Sequence, residues 1–348
     1  MSKKALQAFI EFQESPGGHG HPSSPSTAGQ LAANALETAR GKIASLLGAK
    51  SSQIVFTSTA SEAAEWAVSI LANKCNKIYY SPFEHSCIKD SIENINIEKH
   101  LLNSNNGMAE FYNIENSGII CMLVQNETGV IQPIELIPKG CSLLSDLCQA
   151  VGVVSLDLKS LNASLAFISG HKIGGGAVGI LYIKDPNWWK EKGAGNRWYL
   201  DRSGTPDVAG IVATSTALEE TLFNMPENLA KCREFQSALE ERLENMCLTI
   251  LCKNSPRVPS TTFVHIPGYG MHLLLDLSKE GIIVGLGSAC NSLNTGASLS
   301  IRALEGYKDS GPHDFIRISQ KGQYGKKEAL LVADKIYNGL KKYGQIRT

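Results

Sequence analysis

Residues 165–176 read LAFISGHKIGGG, and this stretch decides the fold class. The apolar run that ends at Ser169 predicts a buried strand, and the glycines after Lys172 predict a tight turn. A lysine at such a sheet edge lies where ligands of open α/β folds bind, and its amine can form a Schiff base with an aldehyde cofactor. Taken alone, the tetrapeptide 169–172 favours a simpler alternative, a solvated lysine beside a flexible turn.

Two upstream segments add groups that an aldehyde cofactor with a ring nitrogen and a phosphate requires. SDLCQ (145–149) follows an apolar segment, so Asp146 could pair with a protonated ring nitrogen and Gln149 with a ring hydroxyl. FTSTASE (56–62) predicts a strand, a turn and a helix start, whose amides suit a phosphate. The alternatives are that Asp146 caps a short helix and that Ser61 is only an N-cap.

Apolar periodicity predicts alternating strands and helices, which indicates a mostly parallel sheet covered on both faces. We expect a large domain over residues 17–225. A smaller α+β domain is predicted over residues 1–16 and 226–348, with a helix that starts at Pro226. The predicted helices are 29–47, 61–73, 85–94, 226–246, 270–279 and 326–343, and the predicted strands are 53–56, 78–81, 118–124, 141–144, 165–169 and 178–183.

Composition excludes several classes of protein. Lys+Arg and Asp+Glu both number 33 in the 348 residues, so there is no overall basic field to hold nucleic acid. No apolar run is long enough to span a bilayer, and the start of the chain lacks the features of a signal peptide. The nine cysteines include no CxxC pair, so we expect no metal site and a cytoplasmic protein with reduced thiols.

Nine segments in order resemble a NifS/IscS-type cysteine desulfurase, of the class-V aminotransferase superfamily. They lie between about Pro22 and Tyr343 and read HPSSPSTAGQ, FTSTASEA, FEHS, QNETGVIQP, SDLCQAVG, SGHKIGGG, RSGTPDVAGIV, GSACNS and FIRIS. The resemblance implies a fold-type-I α/β enzyme dependent on pyridoxal 5'-phosphate, with a mostly parallel seven-stranded sheet and a smaller α+β domain. It also implies a homodimer that converts L-cysteine to L-alanine.

The resemblance assigns the contacts of the cofactor ring to four residues. Lys172 would hold the cofactor as a Schiff base, and His85 would stack on the ring and assist proton transfer. Asp146 and Gln149 would bind the ring nitrogen and the ring hydroxyl.

The resemblance also assigns the phosphate and the substrate. Thr205 would reach the phosphate from the neighbouring subunit, while Asn126 and Arg317 would receive the substrate carboxylate, for which a guanidinium is apt. The other phosphate ligands would be Ala60, Ser61, Ser169 and His171.

Cys290 differs from the other cysteines because it lies in GSACNSLNTG (287–296), a small polar run that has little to pack into a core. We therefore expect an exposed thiol that can ionise, whereas Cys121 lies in an apolar run. The alternative is an incidental surface thiol. The resemblance implies that Cys290 carries a persulfide to a protein acceptor for iron–sulfur assembly or thiolation.

The chain departs from the family pattern at several positions, and two of the departures suggest a compacted member. It lacks the usual N-terminal strand, and the connection from Pro133 to Asp146 is short for a crossover helix. Three alternatives stay open: a selenocysteine lyase, another enzyme of this superfamily such as an aminotransferase, and a scaffold-type relative with weakened catalysis. A nucleophilic Cys290 argues against a plain aminotransferase.

Overall fold

A seven-stranded sheet forms the centre of the protein, which is described here from a computed structural model over residues 1–190, 204–287, 297–311 and 313–344. The strand order is β1-β9-β8-β7-β6-β2-β3, and only β9 runs antiparallel to its neighbours. This mostly parallel sheet confirms the predicted fold class. The strands of the described residues are β1 Ile54–Thr57, β2 Lys77–Tyr80, β3 Glu98–Leu101, β4 Ser104–Asn105, β5 Met108–Ala109, β6 Gly118–Ile120, β7 Ser142–Asp146, β8 Leu165–Ser169, β9 Gly179–Ile183, β10 Thr249–Ile250, β11 Thr261–His265 and β12 Phe315–Ser319.

Helices cover both faces of this sheet, which explains why β1 and β9 are buried along their whole length. Leu36 and Ile43 of α2 pack on one face, and Val68 and Leu71 of α3 pack on the other. Within the described ranges, no helix combines the length and apolar character needed to cross a membrane. The helices there are α1 Lys3–Glu14, α2 Thr27–Leu46, α3 Ala60–Ala72, α4 Ser86–Glu93, α5 Asn187–Lys190, α6 Val208–Asn245, α7 Gly270–Lys279, α8 Leu299–Arg302 and α9 Lys326–Lys342.

A second, antiparallel sheet of β10, β11 and β12 forms the C-terminal part of the fold. Its strands pack against α7 and α9 through a separate apolar cluster that includes Leu273 and Ile336. Phe263 and Phe315 stack beside it with ring centroids 5.2 Å apart. These contacts agree with the predicted α+β character of this region, although the exact domain boundaries stay a prediction.

The helix predicted to start at Pro226 starts much earlier. Helix α6 begins at Val208, where the Asp207 carboxylate accepts a hydrogen bond from the Gly210 amide at 2.9 Å, and it continues through Pro226 to Asn245. Proline has no amide hydrogen, so the carbonyl one helical turn before Pro226 lacks its usual donor. Because Pro226 is exposed, that carbonyl can accept a hydrogen bond from water instead. Packing of α6 on both sides of Pro226 outweighs the tendency of proline to start or break a helix. The domain boundary predicted at residue 225 therefore falls inside one helix.

The N-terminal helix α1 packs on the first half of α6. Ala5 packs with Ala213 and Ala217 in the first half of α6, and the Ser2 amide donates to the Gly174 carbonyl at 2.7 Å. These partners lie within residues 17–225, the predicted large domain, whereas the assignment of residues 1–16 to the smaller domain stays a prediction. Small alanine side chains allow this close helix contact, and periodicity within α1 could not identify its partner.

The buried pair of Glu240 and Arg257 links α6 to the segment before β11. The guanidinium donates two hydrogen bonds of 3.0 Å to the carboxylate, and the Thr262 hydroxyl donates a third at 2.9 Å. Both charged side chains are almost completely buried. Removing one of them would therefore leave the other as an uncompensated buried charge.

We expect Glu240→Ala to lower the free energy of unfolding by about 3–5 kcal/mol, because Arg257 would lose its counterion. Urea unfolding followed by circular dichroism measures this loss. Glu241→Ala, at the exposed neighbouring position, is the matched control and should leave the midpoint nearly unchanged. Equal midpoints for the two variants would show that the ion pair contributes nothing to stability.

Candidate active site

A cavity of about 400 Å³ opens at the carboxyl ends of the parallel strands β7 and β8. This is the edge at which open α/β sheets bind ligands, and the volume suits a small cofactor. All the site residues predicted from the sequence line this cavity except Thr205 and Cys290. Its lining includes Ala60, Ser61, His85, Asn126, Asp146, Gln149, Ser169, His171, Lys172 and Arg317.

Lys172 reaches the cavity from a single 3-10 turn, Gly170–Ile173, that directly follows β8. The turn ends at Gly174, whose φ of 82° is left-handed and therefore suits glycine. A Cβ on Gly176 would lie 2.9 Å from the Cα of Gly210, so the glycines also allow α6 to approach closely. The Gly-rich run thus shapes the turn that places the lysine amine.

Asp146 is the last residue of β7 and is buried beside the lysine. Its Oδ1 accepts a hydrogen bond from the Cys148 amide at 2.8 Å. Burial raises the pKa of Asp146, while the hydrogen bond from the Cys148 amide and the nearby positive charge of Lys172 act in the opposite direction. A buried carboxylate of this kind favours a cationic partner, such as a protonated ring nitrogen.

The start of α3 supplies backbone donors to the same cavity. Thr59 is the N-cap, and its hydroxyl accepts from the Glu62 amide at 3.1 Å. The alternative that Ser61 is the N-cap is therefore wrong. The amides of Ala60 and Ser61 precede the first intrahelical donor, Ala63, and so suit an anion at this helix terminus.

His85 caps α4 with its ring. Nδ1 accepts from the Cys87 amide at 3.3 Å and lies 3.1 Å from the Cys87 thiol. Because an N–H can only donate, Nδ1 carries no proton in this arrangement, and the neutral ring carries its proton on Nε2. The helix cap therefore selects the tautomer of the histidine expected to face the cofactor.

Arg317 comes from β12, so the second sheet completes the cavity. Its Nη1 donates to the Asn126 carbonyl at 3.0 Å, which brings together the two residues predicted to bind a carboxylate. Burial lowers the pKa of Arg317, and the negative charge of Glu127 opposes that shift. A partly desolvated guanidinium is well suited to bind a substrate carboxylate.

Two predicted site residues are not placed in this cavity. Thr205 lines a neighbouring cavity of about 340 Å³ that shares Ala177 and Val178 with the first. Its contact with a phosphate from a second subunit stays a prediction. Cys290 lies outside the described residues.

Two cysteines line the cavity although neither was predicted as a site residue. Burial raises the pKa of Cys87 to about 12 and raises the pKa of Cys148 well above its ordinary value, so both thiols stay protonated near neutral pH. Each follows a predicted site residue by two positions, Cys87 after His85 and Cys148 after Asp146. This two-residue spacing from a predicted site residue was the sequence feature that could have identified both cysteines as part of the cavity lining.

Glu84 is a buried carboxyl group directly before His85. Its Oε1 accepts from the Met122 amide at 2.7 Å, and its Oε2 has no hydrogen-bond partner among the described residues. Burial, reinforced by the negative charge of Asp146, raises the pKa of Glu84 to about 8. The folded protein therefore keeps this group protonated at pH values where the unfolded chain ionises it.

Since the folded pKa exceeds the unfolded one, the contribution of Glu84 to the free energy of unfolding should fall as pH rises from about 4.5 to about 8. We expect Glu84→Gln to reduce this fall by a few kcal/mol at most, because the amide does not ionise. Urea unfolding at pH 5 and pH 8.5 measures the difference. Glu93→Gln, at an exposed position of α4, is the control, and the same pH dependence in both variants would refute the prediction.

Comparisons with known proteins place this fold and cavity in a family. The model of the aminotransferase class-V family matches residues 1–325. The chain belongs to this family. A protein named cysteine desulfurase IscS from Clostridium botulinum (strain Kyoto / Type A2) is 31% identical to this chain over 328 residues, covering 86% of this chain and 82% of the relative.

Another relative, named cysteine desulfurase, from Nostoc sp. (strain PCC 7120 / SAG 25.82 / UTEX 2576), is 31% identical over 330 residues, with 86% of this chain and 81% of the relative covered. A solved structure titled NifS-like protein superposes with a TM-score of 0.85 at 25% identity, and the match covers 98% of this chain and 96% of that chain. The resemblance to NifS/IscS-type cysteine desulfurases is thus confirmed.

Proposed function

We propose that this class-V protein is a cysteine desulfurase that uses pyridoxal 5'-phosphate to convert L-cysteine to L-alanine and pass the sulfur to an acceptor. The observation that supports this most is the convergence of Lys172, Asp146 and Arg317 on one cavity. The amine of Lys172 would bind the aldehyde of the cofactor, and the buried carboxylate of Asp146 would pair with its ring nitrogen. The guanidinium of Arg317 would bind the carboxylate of the substrate.

The donor set of the cavity fits pyridoxal phosphate. Asp146 would hold the proton on the ring nitrogen, and Gln149 would meet the ring hydroxyl. The phosphate would accept hydrogen bonds from the amides at the start of α3 and from Ser169 and His171. Burial, followed by the nearby charge of Lys172, lowers the pKa of His171, so its neutral ring would donate to the phosphate as a single N–H. When bound, the cofactor supplies a ring that accepts electrons from the substrate Cα.

The side chains of the cavity divide the remaining tasks. Arg317 and Asn126 would orient cysteine through its carboxylate. The Lys172 amine, once free, would take the Cα proton as a general base. His85, with its proton on Nε2, would return a proton to the product.

Cys290 would take the sulfur. Its thiolate attacks the substrate sulfur and forms a new S–S bond, while the C–S bond breaks and its electron pair stays with the carbon skeleton. Protonation of that carbon gives alanine, and the persulfide on Cys290 carries the sulfur onward. A thiol reductant then supplies the two electrons that release sulfide.

The assembly and the location are further parts of this proposal. Thr205 lies outside the cavity of its own subunit, which is consistent with a homodimer in which it contacts the partner's phosphate. The acceptor would be a protein for iron–sulfur assembly or thiolation, and the protein would act in the cytoplasm.

Incubation of the cofactor-loaded protein with L-cysteine tests the proposal. We expect alanine and sulfide in equal amounts with a thiol reductant, and without it a mass increase of one sulfur on the peptide that contains Cys290. Formation of a 2-oxo acid in place of alanine would support an aminotransferase. An unchanged cysteine pool would support a scaffold without catalysis.

A further inference from the structure

Glu127 is a buried carboxylate next to Asn126 that the reaction scheme above does not use. Its side chain is 1% exposed. Its Oε2 accepts hydrogen bonds from the Ser298 hydroxyl at 2.7 Å and from the Gln125 amide group at 3.4 Å. Its Oε1 is buried and has no hydrogen-bond partner among the described residues. A buried polar atom without a hydrogen-bond partner is costly, because it loses the hydrogen bonds that water would supply.

The neighbours of Glu127 flank one particular segment. Gly287 and Ser298 are described residues on either side of positions 288–296, which include Cys290. Gly287 has a φ of 108°, and a Cβ there would lie 2.9 Å from Glu127 Oε1. Only glycine therefore fits against this oxygen without displacing it.

Ser298 makes a double contact at the other end. Its hydroxyl donates to Glu127 while its oxygen accepts from the Ile301 amide at 3.2 Å, as the N-cap of α8. One side chain thus joins the start of a helix to the buried carboxylate.

The same region is attached to the proposed substrate carboxylate site. Gly285 and Arg317 exchange two backbone hydrogen bonds of 2.9 and 2.6 Å. A Cβ on Gly285 would lie 3.1 Å from the Arg317 guanidinium. The backbone before Gly287 is therefore hydrogen-bonded to Arg317 at Gly285 and lies close to Glu127 at Gly287.

We propose that Glu127 is a positioning residue for sulfur transfer, because its carboxylate contacts both described ends of the segment that carries Cys290. This inference rests on the proposed function. Glu127 need not touch substrate or cofactor. By holding Ser298 and packing against Gly287, it limits where the ends of the segment lie relative to Arg317.

Amide hydrogen exchange tests the holding role directly, without any reaction. We expect Glu127→Ala to accelerate exchange at residues 284–287 and at residues 299–302 together. Ser298→Ala should accelerate exchange at 299–302. Ser26→Ala, which removes the matched N-cap of α2, should affect only that helix. Unchanged exchange at either end in the folded Glu127→Ala variant would overturn the proposal.

The rate at which sulfur appears on Cys290 tests the catalytic consequence. We expect Ser298→Ala to lower this rate about tenfold, with the cofactor absorbance and the binding of cysteine unchanged. Ser298→Thr keeps the hydroxyl and should restore the parent rate, and Ser26→Ala should retain it. This comparison stays decisive if Glu127→Ala does not fold.

The two proposals fail in distinguishable ways. If the parent protein never acquires sulfur on Cys290, the proposed function is refuted, and the exchange experiment still decides whether Glu127 holds the segment. If the parent acquires sulfur and Ser298→Ala does so at the same rate, only the positioning role is refuted.

Discussion

Lys172→Ala is expected to abolish the absorption band that a lysine-bound pyridoxal cofactor shows near the visible edge. The variant should also lower sulfide release at least about 10²- to 10⁴-fold, because a positioned general base contributes that much. Spectra of the purified variant mixed with pyridoxal phosphate, and sulfide assays with L-cysteine, measure the two effects. Both follow from the position of the Lys172 side chain in the cavity that also contains Asp146.

The control for this variant is Lys184→Ala. Lys184 follows β9, and its amine donates to the Asn162 side chain at 2.9 Å, away from the residues that line the cavity. Its variant should keep the absorption band and the activity. If Lys172→Ala shows the spectrum of the parent protein, the amine that binds the cofactor lies elsewhere, and the assignment of the active site is wrong.

Cys290→Ser is expected to keep the cofactor band and lose sulfur transfer. A hydroxyl does not form a persulfide, so the variant should give neither sulfide nor a mass increase on its peptide when cysteine is added. Loss of the nucleophile should lower sulfide release by at least about 10³-fold, a size expected for a residue that acts in the bond-breaking step. Mass spectrometry and a sulfide assay measure both quantities.

Cys247→Ser is the matched control, because Cys247 is the exposed free thiol in the described part of the chain. It should behave as the parent does. Sulfide release at the parent rate by Cys290→Ser would assign the nucleophile to another cysteine, with Cys87 and Cys148 of the cavity as the candidates. Their raised pKa values make them poor nucleophiles in the folded protein.

Much of the site could be predicted from the sequence because its residues sit at or just after the ends of short strands that contain an apolar run. Asp146 ends β7, and Lys172 lies in the turn after β8, so parallel pairing of these strands brings both side chains to one edge. The helix start at Ala60 follows β1 in the same way. For such residues, local pattern and sheet topology together determine proximity.

Features that depend on contacts between distant segments could be identified only from the tertiary structure. Arg317 reaches the cavity because the second sheet packs beside the first, and Glu127 meets Ser298 across 171 positions of the chain. Helix α6 continues through Pro226 because packing outweighs the cost of one missing backbone donor. The periodicity of apolar residues shows which face of a helix or strand is apolar. It does not show which surface covers that face, because the covering surface depends on the packing of the whole chain.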